Sequence, residues 1–92
     1  MKLLIVEDNL KLLDAITETL SGAGFLCETA ESFSRAHDKL FLYQYDILVV
    51  DINLPDGTGL ELIQETRKQN TATGIIVISA RNSLDNKLEG FD

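Results

Sequence analysis

The chain has 92 residues, a net charge of −7, 45% hydrophobic residues, one cysteine and one proline. This length provides one domain, and the aliphatic content supports a core and excludes a disordered acidic tail. No apolar run approaches the roughly 20 residues of a membrane span, and none has the basic flank of a secretory signal. The acidic balance argues against direct nucleic-acid binding, whose affinity comes largely from cations placed on phosphates. Lone Cys27 cannot form an internal disulfide, so we expect a reducing cytoplasm.

Four short apolar runs mark the predicted strands. Three of them are continuous aliphatic stretches rather than alternating ones, which is typical of strands covered on both faces. In chain order the runs are Leu3–Val6, Phe25–Cys27, Ile47–Val50 and Ile75–Ile78.

The segments that follow these runs predict helices. Gly22 and Gly24 supply a stop for the first helix, and Ser32 is the predicted N-cap of the second. The third begins in Thr58–Glu61, which has the spacing of a capping box, and the fourth begins near Ser83. Apolar residues at helical spacing are Leu12, Leu13, Ile16 and Leu20 in the first, Phe33, Ala36 and Leu40 in the second, and Leu84, Leu88 and Phe91 in the fourth.

The alternation of strands and helices predicts one α/β domain over residues 1–92. Right-handed crossovers between successive strands give a doubly wound parallel sheet with helices on both faces. The fourth strand would then have no outer neighbour, and an unpaired edge favours association with another chain. We therefore expect a homodimer or a swapped assembly through this edge. A small sheet that simply ends here is the alternative.

Acidic residues follow two of the predicted strands. Glu7 and Asp8 come after the first strand and Asp51 ends the third, while Ser79 follows the fourth. Ligands of open parallel sheets bind beyond the carboxyl ends of the strands, so these side chains are expected to converge. Clustered carboxylates repel one another unless a cation neutralises them, and Mg²⁺ suits such oxygen donors. Helix capping is the alternative for Glu7-Asp8-Asn9, and it is the expected role for any one of the acids taken alone.

At correct mutual spacing, three stretches resemble the receiver domain of bacterial two-component response regulators. The stretches are Leu3–Asn9, Tyr45–Gly59 and Ile76–Arg81. The resemblance implies a flavodoxin-like parallel sheet, (βα)4 of an expected (βα)5, with strand order 2-1-3-4 and the fifth strand and helix missing. Asp85–Asp92 looks most like receivers that precede winged-helix DNA-binding domains, which implies transcription regulation as the output of a full-length protein.

The resemblance implies a role for each site residue. Asp51 stands where the phosphoacceptor is found, and its partner would be the phosphohistidine of a sensor histidine kinase. Asp8 and Asp51 would bind Mg²⁺ through their side chains, Asn53 through its backbone carbonyl and Glu7 through water. Ser79 stands where a hydroxyl donates to the new phosphoryl group and acts as the switch. Such a domain assists its own phosphorylation and dephosphorylation and is not a stand-alone enzyme.

Further positions shape or tune the implied site. Asn53 and Arg81 occupy positions that set how long the phosphoryl group survives, and Pro55 and Gly57 shape the loop that holds the Asn53 carbonyl. The family continues into a fifth strand with a lysine that pairs with the phosphoryl group, so we expect a C-terminally truncated receiver. Lys87 is no substitute, since it lies in the predicted fourth helix.

Other functions fit the residues less well. A haloacid-dehalogenase-type phosphatase needs a second acid where Asn53 stands and gives Glu7 and Asp8 no role. A calcium loop counted from Asp51 lacks its glycine at position six. His37 falls on the second helix away from the acids, where a surface histidine is expected. The alternative that stays open is a truncated receiver-like interaction or dimerisation module that takes no phosphate.

Overall fold

The structure is a computed structural model that describes residues 1–69 and 72–78. Strands and helices alternate as the sequence predicts, and a short two-stranded ribbon lies between the third strand and the third helix. The elements are β1 (Lys2–Val6), α1 (Leu10–Gly22), β2 (Leu26–Ala30), α2 (Phe33–Leu42), β3 (Ile47–Asp51), β4 (Asn53–Leu54), β5 (Gly57–Thr58), α3 (Gly59–Gln69) and β6 (Gly74–Ile78).

The main sheet contains four parallel strands in the order β2-β1-β3-β6. This is the predicted order 2-1-3-4, because β6 is the fourth of the predicted strands. The register places Val6 beside both Ala30 and Val50, and it pairs Asp51 with Ile78. The carboxyl ends of β1, β3 and β6 therefore lie side by side at one edge of the sheet.

Alternating side chains of the sheet build a separate core on each face. Leu4 and Val6 of β1 are buried with Ala36 of α2 and Leu62 of α3 on one face. Leu3 and Ile5 are buried on the other face, where α1 packs through Leu13. A strand buried on both sides is an uninterrupted apolar run, which is why the runs alone identified β1 and β3.

Polar side chains begin the three helices that the structure describes. Asn9 caps α1 by accepting from the Leu12 amide at 3.1 Å, and Ser32 caps α2 as predicted, accepting from the Arg35 amide at 3.2 Å. Thr58 accepts from the amide of Leu60 at 3.1 Å, one residue earlier than the capping-box partner Glu61. The predicted start of α3 is therefore confirmed, but Thr58 accepts from the amide two residues later instead of the amide three residues later.

Two strands differ from their apolar runs. β2 continues through Glu28 and Thr29 to Ala30, because an edge strand half open to solvent tolerates polar residues. In β6, Ile76 is 51% exposed and Val77 is 44% exposed, so this run is not covered on both faces within the described residues.

Some predicted features lie outside the described residues. The fourth helix near Ser83 is one of them, and Lys87 is another. Within residues 1–69 and 72–78, no helix is both long and apolar enough to span a membrane.

Candidate functional site

Three carboxylates meet beyond the ends of β1 and β3. One oxygen from each of Glu7, Asp8 and Asp51 lies within 4.8 Å of the other two. The strand register explains this, because Val6 pairs with Val50 and the residues that follow leave the sheet together. Glu7 and Asp51 are buried, while Asp8 is partly exposed. The structure thus brings together the acids that the sequence singled out.

Backbone amides orient two of the carboxylates. The side chain of Glu7 accepts from the Asn9 amide at 2.9 Å, and the Glu7 amide donates to the Ala30 carbonyl at 3.1 Å. Asp51 accepts from the amide of Asn53 at 3.2 Å. Asn9 also caps α1, so the capping interpretation holds for Asn9 while Glu7 turns toward the acids.

The electrostatic state of the site follows from its burial. Glu7 is only 1% exposed, and loss of solvation raises the pKa of its carboxyl above the ordinary value. The Asn9 amide opposes this rise in pKa, and the negative charges of Asp51 and Asp8 add to it. A cation among the three oxygens would remove this repulsion, which is the electrostatic requirement of a metal site.

The loop after β3 places Asn53 next to the acids. β4 and β5 pair antiparallel, with Asn53 opposite Thr58 and Leu54 opposite Gly57. The Gly59 amide closes the base of this hairpin by donating to the Ile52 carbonyl at 2.7 Å. Asn53 itself is exposed.

Two predicted site residues are not described by the structure, whereas the histidine that was expected to lie on the surface is. Ser79 and Arg81 lie outside the described residues, although Ile78, the residue before Ser79, pairs with Asp51. His37 is exposed on α2 and stacks on the Phe33 ring with centroids 6.0 Å apart. It is a surface histidine, as expected.

Sequence reasoning missed one contact of the hairpin that follows β3. Asp56, at the tip of the β4–β5 hairpin, accepts from the amides of Phe33 at 2.8 Å and Ser34 at 3.1 Å. Both amides hold the pKa of Asp56 below its usual range. The partners are 22 and 23 residues away along the chain, so no local pattern could have revealed the contact.

A comparison with protein families identifies the class. The model of the response regulator receiver domain matches residues 3–92, so the chain belongs to this family. Receiver domains of response regulators are signalling domains. This assignment removes the phosphatase and calcium-loop alternatives.

Individual relatives agree with the family. The chain is 34% identical over 92 residues to the transcriptional regulatory protein PmrA of Pectobacterium parmentieri, covering 100% of this chain and 41% of that protein. It therefore spans less than half the length of this curated relative.

Two solved structures are similar in fold and sequence. The response regulator TrrA of Thermotoga maritima in complex with Mg²⁺-BeF is 25% identical, with a TM-score of 0.75 and 96% of each chain covered. A chain in the complex of the histidine kinase ThkA with TrrA is 33% identical, with a TM-score of 0.78, covering 86% of this chain and 68% of that one.

Proposed function

We propose that Asp51 is the phosphoacceptor of this receiver domain and takes a phosphoryl group from the phosphohistidine of a sensor histidine kinase. The observation that carries the proposal is the convergence of three carboxylate oxygens within 4.8 Å at the ends of β1 and β3. Membership of the receiver family supports the reaction, and the complex of a similar response regulator with a histidine kinase supports the partner.

The same carboxylates fit Mg²⁺. Asp8 and Asp51 would bind it through their side chains, Asn53 through its backbone carbonyl and Glu7 through a water molecule. Oxygen donors of this kind are the ligands that Mg²⁺ prefers. Because Glu7 is buried, a bound cation would stabilise the charged form of its carboxylate. When bound, the ion supplies positive charge that offsets the charge of the phosphoryl group in transfer.

The chain's own part in the transfer is mainly positioning. An oxygen of Asp51 forms the new bond to phosphorus while the P–N bond to the kinase histidine breaks and its electron pair stays on the imidazole. The Asn53 amide donates to one oxygen of the Asp51 carboxylate, which limits the rotation of that side chain. Since the chain accepts and loses one phosphoryl group, it acts as a signalling domain and not as a stand-alone enzyme.

The output follows from residues around this centre. Ser79 would donate its hydroxyl hydrogen bond to the phosphoryl group and start the switch, while Asn53 and Arg81 would set the lifetime of the phosphorylated state. If the chain is part of a longer protein, we propose that its output is transcription regulation, the role that the name of the similar protein PmrA states. We propose that this segment itself does not contact nucleic acid. The free thiol of Cys27 suits the cytoplasm.

A phosphoryl mimic tests the proposal. Mg²⁺ with beryllofluoride is expected to raise the melting temperature of the chain by several degrees, because a ligand that binds only the folded state stabilises it. The variant Asp51→Asn keeps the size of the side chain, and it should show no such rise. A wild-type chain that responds no more than Asp51→Asn would refute the proposal.

The exposed β6 strand favours a second candidate, an interaction module that pairs through its sheet edge as a homodimer or a swapped assembly. Among the described residues β6 is the outermost strand of the main sheet, and its Ile76 and Val77 are about half exposed. A dimer on sizing chromatography that Ile76→Lys abolishes would support it. The control Leu60→Lys, at a position 52% exposed on α3, should leave the dimer intact. A clean wild-type monomer at high concentration would contradict it.

A further inference from the structure

The tip of the β4–β5 hairpin is fastened to the start of α2. The two oxygens of Asp56 accept separately from Phe33 and Ser34, which are the first two residues of the helix. Amides in the first turn have no partner within a helix, and a negative charge is favourable there. Ser32 caps the next amide, that of Arg35, from the local chain. The N-terminus of α2 is thus shared between one local cap and one cap from the loop of the acidic site.

Close packing reinforces this tether. A β-carbon on Gly57 would lie 2.6 Å from two ring atoms of Phe33, so the backbone of the hairpin rests directly on that ring. The helix is a firm support, because Ala36 is fully buried against the sheet. The hairpin tip is therefore held by packing as well as by hydrogen bonds.

The tether matters because Asn53 belongs to the same hairpin. β4 and β5 have two residues each, and a two-stranded ribbon of this size is not stable by itself. Its base is fixed by the hydrogen bond from Gly59 to Ile52, and its tip is fixed by Asp56. Between these two points lies the backbone carbonyl of Asn53, the proposed main-chain ligand.

We propose that Asp56 is a positioning residue for the metal site, acting through the hairpin to hold the Asn53 carbonyl where a divalent cation can use it. The inference rests on the proposed function and adds to it a residue that does not touch the cation. Outer partners of this kind orient the ligands of a metal, and their loss weakens its binding.

Three variants test the inference. Mg²⁺ alone is the probe, and its binding is measured from the shifts of amide NMR signals near the acids. Asp56→Ala removes both acceptors from α2. Asp56→Asn keeps one acceptor oxygen and serves as the conservative variant. Ser32→Ala is the matched control, since it removes the other cap of the same helix and leaves the hairpin untouched.

We expect Asp56→Ala to weaken Mg²⁺ binding roughly tenfold, at the lower end of the effect of losing an outer partner. Asp56→Asn should fall between it and the wild type, and Ser32→Ala should bind Mg²⁺ like the wild type while melting a few degrees lower. The Asn53 and Gly59 amides should exchange with solvent faster in Asp56→Ala than in Ser32→Ala.

Two failures are distinguishable. If the wild type itself gives no response to Mg²⁺, the proposed function falls and the positioning role falls with it. If the wild type responds and Asp56→Ala binds Mg²⁺ as Ser32→Ala does, only the positioning role is overturned. Equal weakening in Asp56→Ala and Ser32→Ala would also overturn it, because helix capping in general would then be the cause.

Discussion

Gly59 lies against the backbone of Asp51 with no room for a side chain between them. A β-carbon on Gly59 would lie 3.0 Å from the carbonyl carbon of Asp51 and from the Cα atom of Ile52, and closer still to the Asp51 carbonyl oxygen. The obstacle is backbone, which cannot move aside as a flexible side chain can. The start of α3 is thereby drawn up to the end of β3, next to the proposed phosphoacceptor.

Replacing this glycine tests the close approach. We expect Gly59→Ala to lower the free energy of unfolding by about 1–3 kcal/mol, the usual cost of adding volume to a packed site. Urea denaturation measures the change. Gly22→Ala is the control, because nothing lies within 4 Å of that position at the end of α1. It should leave stability unchanged or raise it by about 0.4–1 kcal/mol. Equal effects of the two substitutions would contradict the structure.

A second prediction concerns Tyr45, which is buried and donates to Glu28 at 2.6 Å. That hydrogen bond, aided by the charge of Lys2, lowers the pKa of Glu28, while burial and Glu28 raise the pKa of the phenol. Tyr45→Phe should cost about 1–2 kcal/mol at neutral pH, since a hydrogen bond to a charged group is lost. The measurement is the free energy of unfolding as a function of pH.

The sign of the pH effect follows from linkage. A carboxyl whose folded-state pKa is lowered adds stability above its ordinary pKa, and the gain disappears as the pH falls through the folded-state pKa. Tyr45→Phe should therefore make the loss of stability in acid shallower. Tyr43→Phe is the control, since Tyr43 is 51% exposed and its ring stays available to Lys2. A slope unchanged in Tyr45→Phe would refute the role of this hydrogen bond.

A third prediction uses the opposite shift at Glu7. Its pKa is raised in the folded chain, so stability falls as the pH rises from the ordinary glutamate pKa to the folded-state pKa. Glu7→Gln should remove this decline and raise the metal-free melting temperature at neutral pH by several degrees. The amide oxygen can still accept from Asn9.

The same variant should bind Mg²⁺ more weakly, because a negative charge beside the cation is lost. Calorimetric titration with Mg²⁺ and thermal melts in chelator measure both effects on one sample. Glu18→Gln, an exposed position on α1, is the control and should change neither quantity. If Glu7→Gln melts at a lower temperature than the wild type without metal, the charged Glu7 carboxylate does not destabilise the metal-free chain, and the prediction is wrong.

Local patterns in the sequence predicted much of this molecule. β1 and β3 are uninterrupted apolar runs, and acids placed directly after such strands must meet, because parallel strands end at the same edge. Glu7, Asp8 and Asp51 were therefore predictable as a cluster. Ser32 and Gly22 were predictable as helix ends because capping depends on neighbours within one turn.

Long-range contacts were beyond such patterns. The bond of Asp56 to Phe33 joins residues 23 apart, and the bond of Tyr45 to Glu28 joins residues 17 apart. Neither has a periodicity that could reveal it. The length of β2 was predicted too short for another reason. The polar residues of an edge strand interrupt the apolar run, although the pairing with β1 continues to Ala30.

The most direct test of the account is transfer of a phosphoryl group to Asp51 itself. The chain is incubated with Mg²⁺ and a small acyl phosphate, and its intact mass is measured, with tandem mass spectrometry to locate the modification. We predict a mass increase of one phosphoryl group on Asp51 that requires Mg²⁺ and is absent in Asp51→Asn. An unmodified wild-type chain, or equal modification of Asp51→Asn, would contradict it.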